Sequence, residues 1–190
     1  MLRDGFAATG VAEICAAAGV TKGSFFHYFD SKDTIGGEAL ASFGADLGAA
    51  FASAPFQTEP DPLARVDAYI DFAAQVCRSS VLRQGCLVGM LAQELAASQP
   101  AVRDACRAIF AGWADSFAQH LEAARSACAP DAAFDARDLA MHFVAVVEGA
   151  LILVKTSHEP DVVDRQLGHF RAYVHGLLEQ QAHHTRGSGA

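Results

Sequence analysis

The spacing of apolar residues along the chain predicts helices almost throughout. Between residues 100 and 126 the apolar positions recur at intervals of three and four, as they do on one face of a long amphipathic helix. The residues of this face are Val102, Cys106, Ile109, Trp113, Phe117, Leu121 and Ala124. Runs that alternate apolar and polar residues, which would indicate strands, are absent. We therefore predict an all-α fold.

Two further helices are predicted near the carboxyl end. The run "FVAVVEGALILV" within 136–156 is apolar on nearly every side, which predicts a helix buried on most sides with Asp135 as its N-cap. The next helix, at about 161–182, carries one apolar stripe, formed by Val163, Leu167, Phe170, Val174 and Leu177. Two such helices can cover each other and still leave apolar surface for a second copy of the chain.

Helix-breaking residues divide the chain. Pro55, Pro60 and Pro62 separate a predicted helix at about 32–52 from one at about 62–78, and residues 126–135 form a second loop. The last segment, "HHTRGSGA", is polar and rich in small residues, which is typical of a disordered end. We predict a small head at 1–36, a helical body at 37–182 and a disordered tail at 183–190.

Composition and charge narrow the class of protein. A chain of 190 residues with 52% hydrophobic composition can bury a sizeable core. Its net charge of −8 argues against coating nucleic acid by bulk attraction. The sequence has neither the roughly 18 consecutive apolar residues of a membrane span nor a secretory signal. Its five cysteines form no CxxC pair and suit a reducing compartment, so we predict a cytoplasmic protein with no membrane partner.

The segment "GVTKGSFFHYFDSK" at 19–32 lies in a helix–turn–helix pattern. Thr9 is a candidate cap for a helix over Val11–Ala18, and Gly19 supplies the turn. Thr21 is the candidate cap of a second short helix, from Lys22 to about residue 29. Two helices joined by a tight glycine turn are the unit with which many proteins read DNA.

The pattern also predicts how this unit packs. Cys15 lies four residues before Gly19, where two crossing helices leave space only for a small side chain, so we interpret it as a packing residue and not a reactive thiol. The predicted small core consists of Ile14, Ala18, Val20 and Phe25. Phe29 is expected to anchor the second helix to that core.

The outward face of the second helix is the predicted DNA surface. Thr21 and the first backbone N–H groups can hold a phosphate, Tyr28 and Lys32 can hold others, and Lys22 is placed to approach base edges. Ser31 closes the unit by capping the next helix. The predicted DNA-binding residues are Thr9, Thr21, Lys22, Gly23, Ser24, Phe26, His27, Tyr28 and Lys32.

The stretch "TGVAEICAAAGVTKGSFFHYFDSKDTI" closely resembles the helix-turn-helix of the TetR/AcrR family of bacterial repressors, over about residues 5 to 40. The resemblance implies an all-helical homodimer. Each subunit would have a small DNA-binding head and a larger body that binds a small ligand and dimerises through its last two helices. A near-palindromic double-stranded operator follows from two such heads.

The sequence departs from the family pattern at the amino end. Members generally carry a full first helix and a basic arm, whereas this chain begins at the last turn of that helix, so we expect either an upstream start or a truncation. Phe26 stands where the family usually has tyrosine, and it offers no hydroxyl to a phosphate. Gly36 and Gly37 each weaken the next helix by about 1 kcal/mol relative to alanine.

The residues of the body suggest two hypotheses for how DNA binding is regulated. A ligand pocket is one, and its candidate residues are Phe72, Cys86, Met90, Phe110, Trp113 and Phe117, although aromatic residues at helical spacing also suit a core. The other is a reactive cysteine. Cys86 follows Arg83 and Gly85, and Cys106 lies between Arg103 and Arg107, settings that can lower the pKa of a thiol. Burial of both cysteines is the simpler interpretation.

The sequence contains no GxSxG, HExxH, GxGxxG or P-loop motif, and we predict no enzyme activity and no cofactor. His142 and Glu148 are six residues apart, a poor spacing for one metal ion, so we predict no metal. We therefore predict a repressor that a small-molecule inducer or cysteine modification releases from DNA. The alternative is a helical ligand-binding dimer that has lost DNA binding through its short amino end.

Overall fold

The computed structural model describes residues 1–79, 82, 84–159 and 161–187, with side chains described as far as residue 179. Within these residues the chain forms eight α-helices and one short 3-10 turn at Pro55–Thr58, without strands. The helices are α1 (Val11–Ala18), α2 (Lys22–Tyr28), α3 (Lys32–Ala52), α4 (Pro62–Arg78), α5 (Leu87–Leu95), α6 (Pro100–Cys128), α7 (Ala136–Ser157) and α8 (Val162–Gly187). The all-α prediction is confirmed.

Side-chain caps explain several helix starts. The Ser31 hydroxyl accepts from the Thr34 N–H at 3.1 Å, and the Asp135 carboxylate accepts from the Asp138 N–H at 2.8 Å, so both predicted caps are confirmed. The predicted cap of α1 by Thr9 is wrong. Gly10 is the N-cap, and its own N–H donates to the Glu13 carboxylate at 2.7 Å.

The last helix, α8, is longer than predicted. Helix α8 continues to Gly187, beyond the expected end near residue 182, and therefore overlaps the segment predicted as a tail. Residues 188–190 of that segment lie outside the described residues.

The chain divides into two compact units. Unit 1 comprises Met1–Ala50 and Gln84–Ile109, and unit 2 comprises Phe51–Arg83 and Phe110–Ala190. Unit 1 thus combines α1, α2 and most of α3 with α5 and the first part of α6. The predicted boundary after residue 36 falls inside α3.

Unit 1 has a core that only partly matches its prediction. Cys15 and Phe25 are buried, as expected, whereas Ile14 is half-buried and Ala18 is exposed. Val20 is 45% exposed because it follows the left-handed turn at Gly19, where the chain leaves α1. An unforeseen residue, Phe6, is buried at 2% exposure.

Unit 2 is built around aromatic rings. The rings of Tyr69 on α4 and Phe117 on α6 stack with centres 4.2 Å apart, and Phe143 on α7 lies 4.7 Å from Phe117. Tyr69 and Phe117 are fully buried. The two chain segments of this unit therefore share one core.

The apolar stripe of α8 is buried as predicted at four positions, Val163, Leu167, Phe170 and Val174. The fifth position differs, because Leu178 is buried and Leu177 only half-buried.

Helix α7 is less enclosed than predicted. It buries the face that includes Phe143 and Val147, but Met141, Ile152 and Leu153 are 37%, 48% and 49% exposed. The prediction of burial on most sides is wrong for the single chain, since contact with neighbours on one side leaves the opposite side open. By length and composition alone, α7 is also the one described helix that could cross a membrane.

Candidate nucleic-acid interface

A glycine turn orients α1 and α2. Gly19 adopts φ 68° and ψ 28°, a left-handed conformation in which other residues are strained. The Gly19 N–H donates to the Ala16 carbonyl at 3.3 Å, and the Val20 N–H donates to the Cys15 carbonyl at 3.0 Å. These bonds satisfy the last carbonyls of α1, so the chain turns sharply into α2.

Thr21 begins α2 as predicted. Its hydroxyl oxygen accepts from the Ser24 N–H at 3.0 Å and lies 3.0 Å from the Ser24 hydroxyl. The cap fixes both hydroxyl groups at the start of a helix of only seven residues, which could not hold its conformation through propensity alone.

Phe25 fixes α2 to unit 1 and leaves the rest of the helix open. Its side chain is 3% exposed, and its ring packs edge-on against Phe26 with centres 5.1 Å apart. Phe26 is 54% exposed and Tyr28 is 77% exposed. The other exposed members of the predicted DNA surface on this helix are Lys22, Gly23, Ser24 and His27. One short helix therefore brings six of the nine predicted residues together.

Thr9 and Lys32 have bonding partners in the amino-terminal segment. Thr9 is buried, and its hydroxyl donates to the Gly5 carbonyl at 2.7 Å. The Lys32 ammonium donates to the carbonyls of Phe6 at 2.9 Å and Ala7 at 3.3 Å, and lies 4.6 Å from the centre of the Phe6 ring. Two of the three N–H groups of Lys32 are thus used within unit 1.

The carboxylate of Glu94 on α5 binds two backbone N–H groups of the same segment. The sequence analysis did not predict this contact. One carboxylate oxygen accepts from the Phe6 N–H at 2.9 Å and the other from the Ala7 N–H at 2.8 Å. Gly5, at φ 90°, lies so close that an added Cβ would sit 2.9 Å from the Glu94 carboxylate. We call this arrangement the Glu94 clamp. Because it binds main-chain groups 87 and 88 residues away, no side-chain pattern indicated it.

The candidate pocket residues separate between the units. Phe72, Phe110, Trp113 and Phe117 belong to unit 2, whereas Cys86 and Met90 belong to unit 1. Unit 2 contains a groove of about 460 Å³, and Phe72 is the one candidate among its described lining residues. The groove is also lined by Pro55, Phe56, Ala68, Asp71, Ala74, Gln75, Arg78 and Asp164.

The structure favours buried packing cysteines over reactive thiols of lowered pKa. Cys86 and Cys106 are 7% and 2% exposed, and burial raises the pKa of the Cys106 thiol. Arg103 and Arg107 each lie 3.3 Å from the Asp104 carboxylate, whose charge offsets theirs. Burial raises the pKa of Cys77 to about 12 as well, and the charge of Glu148 adds to that rise.

Comparison with known proteins agrees with this arrangement. Residues 1–38 match the family "Bacterial regulatory proteins, tetR family", and residues 62–166 match "Transcriptional regulator LmrA/YxaF-like, C-terminal domain". The transcriptional repressor DhaR of Mycobacterium sp. strain GP1 is 31% identical over 172 residues, covering 87% of this chain and 82% of DhaR. The transcriptional regulator AcuR of Cereibacter sphaeroides is 32% identical over 157 residues, covering 83% and 72%.

Comparison with solved structures also finds a regulatory protein of this kind. A crystal structure of a regulatory protein TetR from Rhodobacter sphaeroides superposes with a TM-score of 0.79 at 30% identity, covering 90% of this chain and 91% of that one. Together with the capped, exposed helix α2 and the all-helical architecture, these matches establish that the chain belongs to the TetR family and is a DNA-binding transcriptional regulator.

Proposed function

We propose that this regulator is a cytoplasmic repressor. It binds a near-palindromic operator as a homodimer and leaves the operator when a small molecule occupies unit 2. The observation that carries the proposal is α2, which is anchored by one buried ring and exposes Lys22, Phe26, His27 and Tyr28 to solvent.

The residues of α2 differ in what they offer to DNA. Lys22, in the first turn, suits the acceptors at a guanine edge, and the Tyr28 hydroxyl suits a phosphate oxygen. Phe26 has no hydroxyl, so its exposed ring suits an apolar contact such as a thymine methyl group. Lys32 retains one N–H for a phosphate. Two copies of α2 about 34–36 Å apart would enter successive major grooves.

Exposed apolar residues on the last two helices support the homodimer. Ile152 and Leu153 on α7 are about half exposed, and Tyr173 on α8 is 52% exposed. A surface of this kind on otherwise buried helices is typical of a protein–protein contact. A second copy of the chain would cover it with the same residues in a two-fold arrangement.

A ligand is a better candidate for the release signal than cysteine modification. Burial raises the pKa of both Cys77 and Cys106, which keeps these thiols protonated and out of contact with solvent. The aromatic core of unit 2 offers apolar surface to a small molecule instead. A ligand that binds one spacing of the two α2 helices more tightly would shift the dimer toward that spacing.

Fluorescence anisotropy tests the proposal directly. DNA from immediately upstream of the gene is compared with scrambled DNA at two salt concentrations. Selective, salt-dependent binding is expected, and Lys22→Ala is expected to weaken it by about 5- to 150-fold, the value of one base contact. Lys155→Ala, a lysine substitution in unit 2, serves as the matched control.

The outcomes separate the hypotheses. Unchanged selectivity in Lys22→Ala would contradict the assigned docking of α2. Loss of affinity for both DNAs equally would make Lys22 a phosphate contact. A dimer without selective binding to upstream DNA would instead favour the ligand-binding dimer that has lost operator recognition.

A further inference from the structure

Arg171 Nε is a buried donor of unit 2 without a hydrogen bond, but it lies 3.3 Å from the Asp67 carboxylate in an ion pair. Two other buried donors of this unit have no partner among the described residues. They are the hydroxyl of Tyr69 on α4 and the indole N–H of Trp113 on α6. Tyr69 is fully buried at 0% exposure. Native structures seldom leave such groups unpaired, so each one calls for an explanation.

The same rings flank both donors. Phe143 lies 5.9 Å from Tyr69 and 5.9 Å from Trp113, and Phe51 lies 5.0 Å and 6.0 Å from them, between ring centres. Trp113 and Ser116 are close enough to the Tyr69 hydroxyl to favour its ionised form, although neither forms a hydrogen bond of acceptable geometry with it. The side chains of Tyr69 and Trp113 therefore lie among the same aromatic rings.

Electrostatics restrict what can bind there. Burial raises the pKa of Tyr69 far above its ordinary value, so the hydroxyl remains a donor at neutral pH. Burial also lowers the pKa of His120, whose ring lies 5.6 Å from Tyr69, and Arg65 lowers it further, which leaves His120 uncharged at pH 7. The Arg65 guanidinium donates to the carbonyl of Glu59 at 2.7 Å. An anion bound beside Tyr69 would thus lose water without gaining a cationic partner from His120.

We propose that Tyr69 and Trp113 recognise the inducer, and that the inducer is a small uncharged molecule with a carbonyl group on an apolar body. A carbonyl oxygen has two lone pairs and no hydrogen of its own, so it can accept from both donors and leave no group unpaired. An alcohol would add a donor, and an amine would add more. This inference rests on the proposed function and specifies its ligand.

The groove described above lies beside the Tyr69 ring. Phe56 lines the groove, and its ring lies 4.9 Å from that of Tyr69. Phe72 lines it too and is only half-buried. A volume of about 460 Å³ lies within the range of small-molecule pockets.

Three probes test the chemistry. Acetophenone carries a carbonyl, ethylbenzene has the same ring and nearly the same size without it, and benzoate carries a charge. Trp113 is the single tryptophan of the chain, so its fluorescence reports binding beside the proposed site. We expect acetophenone to bind more tightly than ethylbenzene and benzoate.

Tyr69→Phe removes the hydroxyl and keeps the ring. It should weaken acetophenone binding by about three- to tenfold, the value of one hydrogen bond, and leave ethylbenzene binding unchanged. Tyr28→Phe removes an exposed hydroxyl from unit 1 and should alter the affinity of neither probe, so it is the control for the probe measurements and not for operator binding. Because the lost hydroxyl is unpaired, Tyr69→Phe should unfold at the same temperature as the wild type or higher.

Three results would overturn the inference: equal affinity for acetophenone and ethylbenzene, tighter binding of benzoate, or fluorescence that no probe changes. If Tyr69→Phe did not fold, the comparison of the three probes on the wild type would still test whether the site prefers a carbonyl group. Anisotropy of operator DNA in the same samples separates this inference from the proposed function. Carbonyl selectivity without DNA release would uphold the site and contradict its role in induction. DNA binding without carbonyl selectivity would contradict the site alone.

Discussion

Gly36 and Gly37 are neighbours in the first turns of α3, and alanine should affect stability in opposite directions at the two positions. An added Cβ at Gly37 meets no atom within 4 Å. At Gly36 it would lie 2.7 Å from Cε2 and 3.2 Å from Cζ of the Phe6 ring. Phe6 is 2% exposed, so its ring has little freedom to move away.

The magnitudes follow from these contacts. Alanine in a helix interior is favoured over glycine by about 0.8–1.0 kcal/mol, and Gly37→Ala should gain this amount. Gly36→Ala gains the same propensity but overpacks a buried contact, which costs about 1–3 kcal/mol. The two variants should therefore differ by about 1–3 kcal/mol, with Gly36→Ala no more stable than the wild type.

Thermal unfolding at equal protein concentration measures the difference, because any oligomer makes Tm depend on concentration. For a chain of this size, about 1 kcal/mol corresponds to about 2–4 °C, so Gly37→Ala should raise Tm by that amount. Gly48→Ala, also in α3 with no atom within 4 Å of the added Cβ, is the control for helix propensity and should behave like Gly37→Ala. An equal rise in Gly36→Ala would refute the reasoning and show that Phe6 moves freely.

Four further expectations follow from contacts described above. Glu94→Gln replaces one acceptor of the clamp with a donor and should cost about 1–2 kcal/mol in thermal unfolding, with faster proteolysis near residue 6, whereas Glu38→Gln should change neither. Thr21→Ala should cost about 1 kcal/mol and weaken operator binding, and Thr21→Ser should retain both. A thiol reagent should react quickly with exposed Cys128 and with the four buried cysteines only upon unfolding; fast reaction of two or more thiols would contradict their burial. Burial lowers the pKa of His120 in the folded chain, so below about pH 6.5 the unfolded chain binds more protons at this residue. The free energy of unfolding should therefore decrease as the pH falls through this range, and His120→Gln should reduce the decrease.

Local signals made the limits of four helices predictable. Prolines begin α4 and α6, and Ser31 and Asp135 cap α3 and α7, so the predicted limits of these four helices lie within one or two residues of those observed. The turn at Gly19 and the cap at Thr21 are local too, and both were predicted correctly. The position of α2, which carries the predicted DNA surface, could therefore be located from sequence alone.

Contacts between distant segments were not predictable in this way. The helix–turn–helix pattern placed Val20 in the core, but the direction of the chain after Gly19 exposes it. Phe6 is buried without any helical pattern around it. For the same reason the candidate pocket combined residues of both units and omitted Tyr69, whose stripe on α4 indicates burial but not an unpaired hydroxyl.

The Glu94 clamp has a consequence for how this contact would change during evolution. Glu94 recognises the peptide N–H groups of positions 6 and 7, which every amino acid except proline supplies. Substitutions at position 7 can therefore accumulate without a compensating change at position 94, and the two positions need not covary among homologues. A search for correlated substitutions would miss this contact, whereas depletion of proline at these two positions would reveal it.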